Sequence, residues 1–336
     1  MIDVDSRAPD PDVIARAAKI LRDGGLVAFP TETVYGLGAD ALNATAVLKI
    51  FEAKGRPAWN PIITHVANTD SARALTTAWS DSAEKLAIAF WPGPLTLVLP
   101  KRDVVPDVVT AGLSAVGIRI PSHPVALAII TALNRPIAAP SANRFTELSP
   151  TTAWHVQKSL GDRVDMILNG GASDVGIEST VIDLTSDVPV LLRPGVIGRE
   201  QLARVLGHDV SVAEHDTDVE GEARLSPGRT ERHYAPRADT WLFDANDVAT
   251  VIQATCEYRV RNTNATVAAL MLDWSLTVDS AVRAIRMPRD PLAYARRLYA
   301  TLHELDAEGY SLIAIERPPR SDAWAGVHDR LERATH

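Results

Sequence analysis

Residues 26–40 read LVAFPTETVYGLGAD, a short apolar run followed by a stretch of turn-forming residues. The apolar run, LVAF, predicts a buried strand, and the rest predicts a turn-rich loop at its end. A helix is predicted on each side of this unit. Asp10-Pro11 supplies an N-cap and a first-turn proline for the first helix, and the second is predicted over about 44–54. Strands and helices are therefore mixed from the start of the chain.

The mixture continues to about residue 208, with further apolar strands predicted at 62–66, 95–100, 116–121, 178–184 and 189–195. Because strands and helices do not alternate strictly, we expect an α/β (α+β) fold with one mixed twisted sheet covered by helices. Between Asp209 and Glu222 the chain has six acidic residues and no Lys or Arg. The predicted units are a catalytic domain (1–208), a linker (209–238) and a smaller Rossmann-like α/β domain (239–336) with a second βαβ pattern.

Composition excludes several classes of protein. The 336 residues carry a net charge of -8, which argues against a general nucleic-acid or membrane-surface binder. One cysteine, Cys256, excludes an internal disulfide and a cysteine-based zinc site, and it suits a reducing compartment. The N-terminal sequence lacks an export signal, and no apolar run approaches the ~20 residues of a membrane span. We therefore expect a cytoplasmic protein without a membrane segment.

Polar side chains gather at the ends of the predicted strands, where open α/β sheets bind small ligands. The chain has no GxxxxGK[ST] loop and no HExxH spacing, so no protein-held metal is predicted. Lys54 and Arg56 stand one residue apart, before a loop stiffened by Pro57 and Pro61. A basic helix end is the ordinary explanation for such a pair, and the stiff loop with Asn60 favours a bound oligophosphate instead.

Arg119 lies inside the apolar strand VGIRIP and needs a carboxylate or phosphate partner, because an unpaired buried charge is prohibitive. His65, within IITHV, is more often a hydrogen-bonded core histidine than a ligand contact. The glycine-rich segment NGGASDVG (169–176) is either an anion-binding nest or a hairpin turn. Cations and neutral donors thus converge from one sheet with few acid or base groups. That inventory suits a nucleoside triphosphate in phosphoryl or nucleotidyl transfer.

Seven segments together resemble a known family. KGRP (54–57) with SAN (141–143) resembles the KxR…SxN signature of the YrdC-like family. The same order and spacing holds for PTETVYGLG (30–38), NPIITHV (60–66), APSAN (139–143), GIEST (176–180) and LRPG (192–195). With the region after SPG…HYAP (226–236), the chain resembles the longer, two-domain threonylcarbamoyl-AMP synthases over essentially its whole length.

The resemblance implies a role for individual residues. L-threonine binding would fall to Thr33, His65, Arg119, Ala139 and Ser179, with Arg119 on the carboxylate. ATP binding would fall to Arg56, Asn60, Ala115, Ser141, Ser149, Arg193 and Tyr234, and both alanines would act through the main chain. The signature residues, implied to be catalytic, are Lys54, Arg56, Ser141 and Asn143. Lys54 and Asn143 would contact phosphates or the carbamate, and the segment around Tyr234 would act as a lid.

The resemblance also implies a reaction. L-threonine, bicarbonate and ATP with Mg²⁺ would give threonylcarbamoyl-AMP, pyrophosphate and water without a covalent enzyme intermediate. A tRNA-modifying transferase complex would then place the group on adenosine 37 of tRNAs that read ANN codons, with weak or no direct tRNA binding by this chain. Three alternatives remain at this point: an RNA-binding module without ATP turnover, a carbamoyl-transferring enzyme of hydrogenase maturation, and an ATP-binding regulatory protein.

Overall fold

The structure is a computed structural model that describes residues 1–213, 225–226, 235–245, 248–262, 265–272 and 282–335. The described residues form an eleven-stranded sheet and a separate four-stranded sheet, each packed with helices. The predicted fold class is therefore confirmed. Within the described part of the chain, no helix has both the length and the apolar character needed to cross a bilayer.

The first sheet is mixed, as predicted. Its strands are β1 (Ile2–Asp3), β2 (Val27–Phe29), β3 (Gly36–Asp40), β4 (Thr64–His65), β5 (Leu95–Pro100), β6 (Ala115–Arg119), β7 (Ile137–Ala138), β8 (Met166–Asn169), β9 (Thr180–Asp183), β10 (Val190–Arg193) and β11 (Ser211–Val212). Their order across the sheet is β1-β8-β2-β3-β7-β4-β6-β5-β9-β10-β11. β4 pairs in parallel with β6, whereas β2 with β3 and β5 with β6 are antiparallel. β11 extends this sheet to residue 212, past the predicted boundary at 208.

Helices cover both faces of this sheet. They are α1 (Pro11–Arg22), α2 (Ala44–Lys54), α3 (Thr69–Arg73), α4 (Asp81–Phe90), α5 (Asp107–Thr110), α6 (Pro124–Leu133), α7 (Ala153–Ser159) and α8 (Arg199–Leu206). Successive side chains of a strand point to opposite faces. In β2, Val27 and Phe29 accordingly pack with α1 and α6, and Ala28 packs with α2 and α7. Burial on both faces explains why this strand reads as an unbroken apolar run.

The ends of α1 and α2 follow from their sequence. Asp10 accepts a hydrogen bond from the N–H of Asp12 at the start of α1, and Pro11 is its first residue, as predicted. α2 ends at Lys54 because Gly55 takes the left-handed conformation, with φ of 63°. The predicted helix at 44–54 is thereby confirmed, and Lys54 and Arg56 stand on either side of this turn.

The second sheet is parallel, as expected for a Rossmann-like unit. Its strands are β12 (Asp239–Phe243), β13 (Val267–Met271), β14 (Val282–Arg286) and β15 (Leu312–Glu316), in the order β12-β15-β13-β14. Its helices are α9 (Val248–Arg261), α10 (Pro291–Glu308) and α11 (Ala325–Ala334). β14 was not predicted from the sequence. It is an edge strand with three exposed residues in five, so its apolar signal is weak.

The segment 30–40 was predicted to be turn throughout, and this was wrong for its second half. Residues 36–40 form β3, which lies between β2 and β7. A Cβ added at Gly38 would lie 2.6 Å from the ring of Phe29 and 2.9 Å from Ile137. Glycine here allows neighbouring side chains to pack against a strand and does not mark a turn.

Neither interpretation of the glycine-rich segment 169–176 is correct. It is no hairpin, because β8 and β9 are not neighbours in the sheet. It is no anion nest either, since several of its N–H groups already bind protein oxygens. Val175 and Gly176 donate to the carbonyls of Glu32 and Thr33, and the N–H of Gly170 donates to the hydroxyl of Tyr35. The segment instead supports the loop that follows β2.

Two described pieces of the predicted linker contact the first sheet region. Leu225 packs on a small apolar cluster that includes Ile63 and Val98. Farther on, the N–H of Ala235 donates to the carbonyl of Thr146 at 3.1 Å. The division into domain, linker and domain stays a prediction, since most of residues 209–238 lie outside the described part.

Candidate active site

A cavity lies where several strands of the first sheet end, and its empty space, with the adjoining open solvent included, is about 550 Å³. Its described lining residues are Thr31, Thr33, Val34, Tyr35, Gly36, Arg56, Pro61, Ile63, His65, Arg119, Ala139, Pro140, Ser141, Glu178, Ser179 and Arg193. Eight of them were predicted site residues, namely Thr33, Arg56, His65, Arg119, Ala139, Ser141, Ser179 and Arg193. Lys54, Asn60, Ala115, Asn143 and Ser149 are described but are not among the lining residues. Tyr234 lies outside the described residues.

Strand register explains how residues distant in sequence meet here. β4 and β6 are parallel, and His65 is paired directly with Arg119 at the ends of both strands. β7 lies on the other side of β4, with Ile137 opposite His65. The loop after β7 therefore carries Ala139 and Ser141 into the same place. This is the convergence at strand ends that the sequence predicted.

Arg119 has the buried anionic partner that the sequence required. Its Nη2 lies 2.7 Å from Oε1 of Glu32, and both side chains are more than nine-tenths buried. Neither of these two atoms has a hydrogen-bond partner, so the contact is an ion pair without an aligned hydrogen bond. The other nitrogens are better placed: Nη1 donates to Thr33 Oγ1 at 2.9 Å, and Nε donates to the carbonyl of Gly93. The guanidinium is thus held from three sides in the cavity wall.

The hydroxyl protons of Thr31 and Thr33 can be assigned from their partners. Thr31 Oγ1 donates to the carbonyl of Val34 at 2.6 Å, which uses its one proton. Its 2.9 Å contact with Thr33 Oγ1 therefore has Thr33 as the donor. Since Thr33 also accepts from Arg119, its hydroxyl has no proton left for a ligand and has acceptor capacity only. Thr33 thus presents an acceptor to the cavity.

His65 is a neutral imidazole in this site. Burial, and secondly the charge of Arg119, lower the pKa of His65 from 6.5 to about 3. Its Nδ1 is buried and has no hydrogen-bond partner among the described residues. A buried ring nitrogen without a partner is available to a ligand, and contact of His65 with L-threonine stays a prediction.

On the opposite wall, Arg193 at the end of β10 holds Ser179. Its Nε donates to the carbonyl of Ser179 at 3.1 Å and its Nη2 donates to Ser179 Oγ at 3.2 Å. The same hydroxyl lies 2.8 Å from Oγ1 of the buried Thr96. Ser179 is therefore fixed in orientation by two different strands.

Arg56 organises the loop that follows α2. Its Nε donates to the carbonyl of Asn60 at 3.3 Å and its Nη2 donates to that of Pro61 at 2.8 Å. The N–H of Asn60 in turn donates to the carbonyl of Pro57. The loop is thus a compact turn around a buried guanidinium that lines the cavity.

Lys54 sits behind the cavity wall and binds the SAN loop. Its Nζ donates to the carbonyls of Ser141 (2.6 Å) and Asn143 and lies 3.5 Å from the Asn143 side-chain oxygen. Burial, with the charge of Arg56 as second cause, holds the pKa of Lys54 well below its usual value. The Asn143 amide nitrogen donates to the carbonyls of Arg144 and Glu147. Lys54 therefore links KGRP to SAN, the two halves of the signature. Its contact with phosphate or carbamate stays a prediction.

The remaining predicted residues differ in what they can offer. The N–H of Ala139 donates to the carbonyl of Ile63, so only its own carbonyl remains for a ligand. Ala115 lies at the start of β6, in the apolar cluster with Ile63. The hydroxyl of Ser149 is buried and donates to Glu178 Oε1.

Thr31, Tyr35 and Glu178 also line the cavity, and the family resemblance assigns none of them a role. Glu178 is the one carboxylate among the described lining residues. Glu32 and Glu178 stand inside the motif segments PTETVYG and GIEST, where an acidic residue near several arginines is the available sequence signal. The described residues contain no group of three His, Cys, Asp or Glu placed to hold a metal ion.

Comparison with known families accounts for both halves of the chain. A family model described as "Telomere recombination", for Sua5, YciO and YrdC proteins, matches residues 19–195. A second, described as the C-terminal domain of threonylcarbamoyl-AMP synthase, matches residues 197–335. The chain belongs to the threonylcarbamoyl-AMP synthase family. Proteins of this name make an adenylate, and the chain is an enzyme of this nucleotidyltransferase type.

Individual relatives agree with this assignment. The threonylcarbamoyl-AMP synthase of Bacillus subtilis is 42% identical over 97% of this chain and 93% of its own length. That of Pyrococcus abyssi is 51% identical over 68% of this chain and 67% of its own. The crystal structure of P. abyssi Sua5 complexed with L-threonine superposes with a TM-score of 0.91 at 39% identity, and the match covers 99% of this chain and 97% of that one. The family resemblance inferred from the motifs is confirmed.

Proposed function

We propose that the chain makes L-threonylcarbamoyl-adenylate from L-threonine, bicarbonate and ATP, and releases pyrophosphate and water. One observation carries the proposal: a single cavity joins Arg119, Thr33 and His65 on one wall to Arg56 and Arg193 on others. The first group suits an amino acid and the second suits a phosphate chain. The superposition on a protein solved with L-threonine supports the first assignment.

At the amino-acid end, Arg119 would bind the carboxylate and the other groups would receive the rest of the molecule. Thr33 and the carbonyl of Ala139 are acceptors, because their donors are already used, and acceptors suit the amine or hydroxyl of threonine. His65 is neutral, so it adds no repulsion toward an ammonium group. Ser179 completes the predicted threonine set. A site built to accept these hydrogen bonds would disfavour an amino acid that lacks them.

At the nucleotide end, Arg56, Arg193 and Ser141 line the cavity and would neutralise the phosphate chain. Asn60, Ser149 and Ala115 lie close behind them as the further predicted contacts, with Tyr234 as the lid residue. Mg²⁺ would enter bound to ATP as part of the substrate.

The chemistry needs positioning more than acid or base groups. The threonine amine adds to bicarbonate or its CO₂ to give the N-carboxy compound, with loss of water from bicarbonate. A carbamate oxygen then forms a bond to the α-phosphorus of ATP, and the bond from that phosphorus to the bridging oxygen of pyrophosphate breaks. Arg56 and Arg193 would stabilise the negative charge of the leaving group, and a closed site would protect the labile anhydride from water. Lys54 and Asn143 would serve by fixing the SAN loop and, as predicted, by direct contact with phosphate or carbamate.

We also propose the product's use. An adenylate of this kind is an activated acyl group that must be handed on, and its acceptor would be a transferase complex acting on adenosine 37 of tRNAs that read ANN codons. The chain itself would bind tRNA weakly or not at all, in keeping with its net charge of -8. Its single cysteine suits the cytoplasm.

Pyrophosphate release from ATP and Mg²⁺, with threonine and bicarbonate omitted in turn, tests the proposal. We expect release to require both, and serine to replace threonine poorly. Arg119→Lys should raise the threonine KM about tenfold or more, because a bidentate charge-assisted contact is lost. The matched control is Arg73→Lys, an exposed arginine paired with Glu84 on the surface.

Other outcomes would redirect the assignment. Release without threonine or bicarbonate would indicate a nucleotidase and would contradict the proposal. ATP binding without release, together with salt-dependent RNA affinity, would favour the RNA-binding alternative.

A further inference from the structure

The last helix of the second domain places one arginine inside the first domain. Arg330 on α11 is 1% exposed. Its Nε donates to Glu178 Oε2 at 2.6 Å, its Nη2 to the carbonyl of Glu178 at 3.2 Å, and its Nη1 to the carbonyl of Pro194 at 2.8 Å. Glu178 and Pro194 belong to the GIEST and LRPG segments. One guanidinium thus joins the two motif loops that also carry Ser179 and Arg193.

Glu178 is shared by the two domains. Its Oε2 receives Arg330 and, at 3.3 Å, the hydroxyl of Tyr299 from α10. Its Oε1 receives Ser149 from the first domain and has a second acceptor position. Glu178 lines the cavity, whereas Arg330 and Tyr299 do not. The second domain therefore determines where a carboxylate of the cavity wall stands.

Close backbone contacts set the distance between these loops and the helices α11 and α10. A Cβ at Gly326 would lie 2.6 Å from the carbonyl oxygen of Gly195, and one at Gly176 would lie 2.5 Å from Cα of Arg296. Asp322 accepts hydrogen bonds from the N–H groups of Arg199 and Glu200 at the start of α8. Such close contacts leave Arg330 little freedom, as the support of a precise site requires.

The charges around Glu178 favour its ionised form. Burial alone would raise the pKa of Glu178, but the charges of Arg330 and Arg193, with the hydrogen bond from Ser149, outweigh burial and lower it. The charged and titratable groups that surround this carboxyl are Arg330 and Asp329 on α11, Tyr299 on α10, Arg193 on β10 and Lys54 at the end of α2.

We propose that Arg330 is a positioning residue of the active site, contributed by the second domain, which holds the carboxylate of Glu178 in the cavity wall and through it orients Ser149. This inference rests on the proposed function of the cavity. It gives the second domain a defined part in the reaction, since the first domain alone would leave Glu178 without the guanidinium that donates to it. Loss of Arg330 would remove the strongest of the charges that stabilise this buried carboxylate and leave Arg193, Ser149 and Tyr299, which favours its protonation or displacement.

A double-mutant cycle separates this role from simple docking of the domains. We expect Arg330→Gln to lower kcat/KM for ATP about tenfold or more and to move the acid limb of the pH profile upward, because the pKa of Glu178 rises. In a Glu178→Gln background the same change should have less than about a twofold further effect, since the residue it acts through is already neutral. An equal loss in both backgrounds would overturn the proposal.

Two further variants keep the test decisive. Arg330→Lys keeps the charge but cannot reach all three acceptors, and we expect a partial loss of activity of about fivefold; unchanged activity would overturn the proposal. Asp322→Asn is the matched control. Asp322 of the second domain contacts the start of α8 and does not line the cavity. We expect it to leave the acid limb in place, and a shift as large as that of Arg330→Gln would also overturn the proposal.

The affinity for ATP, measured by calorimetry, distinguishes this inference from the proposed function. If the wild-type enzyme releases no pyrophosphate, the proposed function fails. The cycle in ATP affinity still tests Arg330, because binding needs no turnover. Weaker binding by Arg330→Gln only when Glu178 is present would support the positioning role, and equal weakening in both backgrounds would contradict it.

Discussion

Lowering the pH from about 7.5 to about 5.0 is expected to cost the protein about 2 kcal/mol of unfolding free energy through His65 alone. Burial and the neighbouring charge of Arg119 lower the pKa of His65 from 6.5 to about 3 in the folded protein. Between these two values the unfolded chain binds more protons than the folded one, so stability falls as the pH falls. At 1.36 kcal/mol per unit, the roughly 1.5 units between the unfolded pKa and pH 5.0 give this magnitude.

Urea unfolding of the wild type and of His65→Asn at both pH values isolates the effect. Carboxylates titrate in both proteins and cancel in the comparison, and the lost packing of the imidazole is present at both pH values. The wild type should therefore lose about 2 kcal/mol more than the variant between the two conditions. An equal loss in both proteins would mean that the folded chain protonates His65 as readily as the unfolded chain. That result would refute the neutral imidazole on which the amino-acid end of the cavity depends.

Three substitutions test other parts of the site. Glu32→Gln leaves the charge of Arg119 buried and unpaired, so thermal unfolding should show a loss of about 3 kcal/mol in unfolding free energy. Added L-threonine should stabilise this variant more than the wild type. An equal effect of threonine on both proteins would contradict the pairing of Glu32 with Arg119. Lys54→Met removes the donor of two carbonyls in the SAN loop and should cost about 2 kcal/mol or more in urea unfolding. Unchanged stability would contradict the structural role of Lys54. Gly326→Ala meets the backbone of Gly195 and should cost about 1–3 kcal/mol by calorimetry, whereas a stable variant would mean that α11 can lift without penalty.

Most elements of the fold could be predicted because their signals are local. The apolar run at 95–100 and the helix at about 44–54 agree with the structure. β3 could not be predicted in this way. Its glycines leave room for the Phe29 ring, a contact that depends on packing between strands, while the same residues read locally as a turn. β14 was missed for a related reason, since three exposed positions in an edge strand leave too little apolar pattern.

Which residues belong to the site was easier to predict than which hydrogen bonds each side chain makes there. Motif order brought eight predicted residues to one cavity, but residue type alone does not show which donors are already occupied. The resemblance implies that Thr33 contacts L-threonine but not in which way, and the structure uses its proton on Thr31, which leaves an acceptor. Lys54 was counted as a cation for phosphate, and the structure uses it on the SAN loop. Such assignments depend on atoms several strands away.

The partner of Arg119 could be predicted as a kind of group but not as a particular residue. The sequence requires a carboxylate or phosphate for this buried arginine and does not show that Glu32 supplies it. In the folded protein a buried cation must be balanced before the ligand arrives, and Glu32 balances Arg119 at 2.7 Å. An incoming threonine carboxylate would therefore meet a guanidinium that is already neutralised on one edge. It would bind the N–H groups that remain on Nη1 and Nη2 of Arg119, next to the acceptors of Thr33 and Ala139, which makes binding selective for the whole amino acid and not for any small anion.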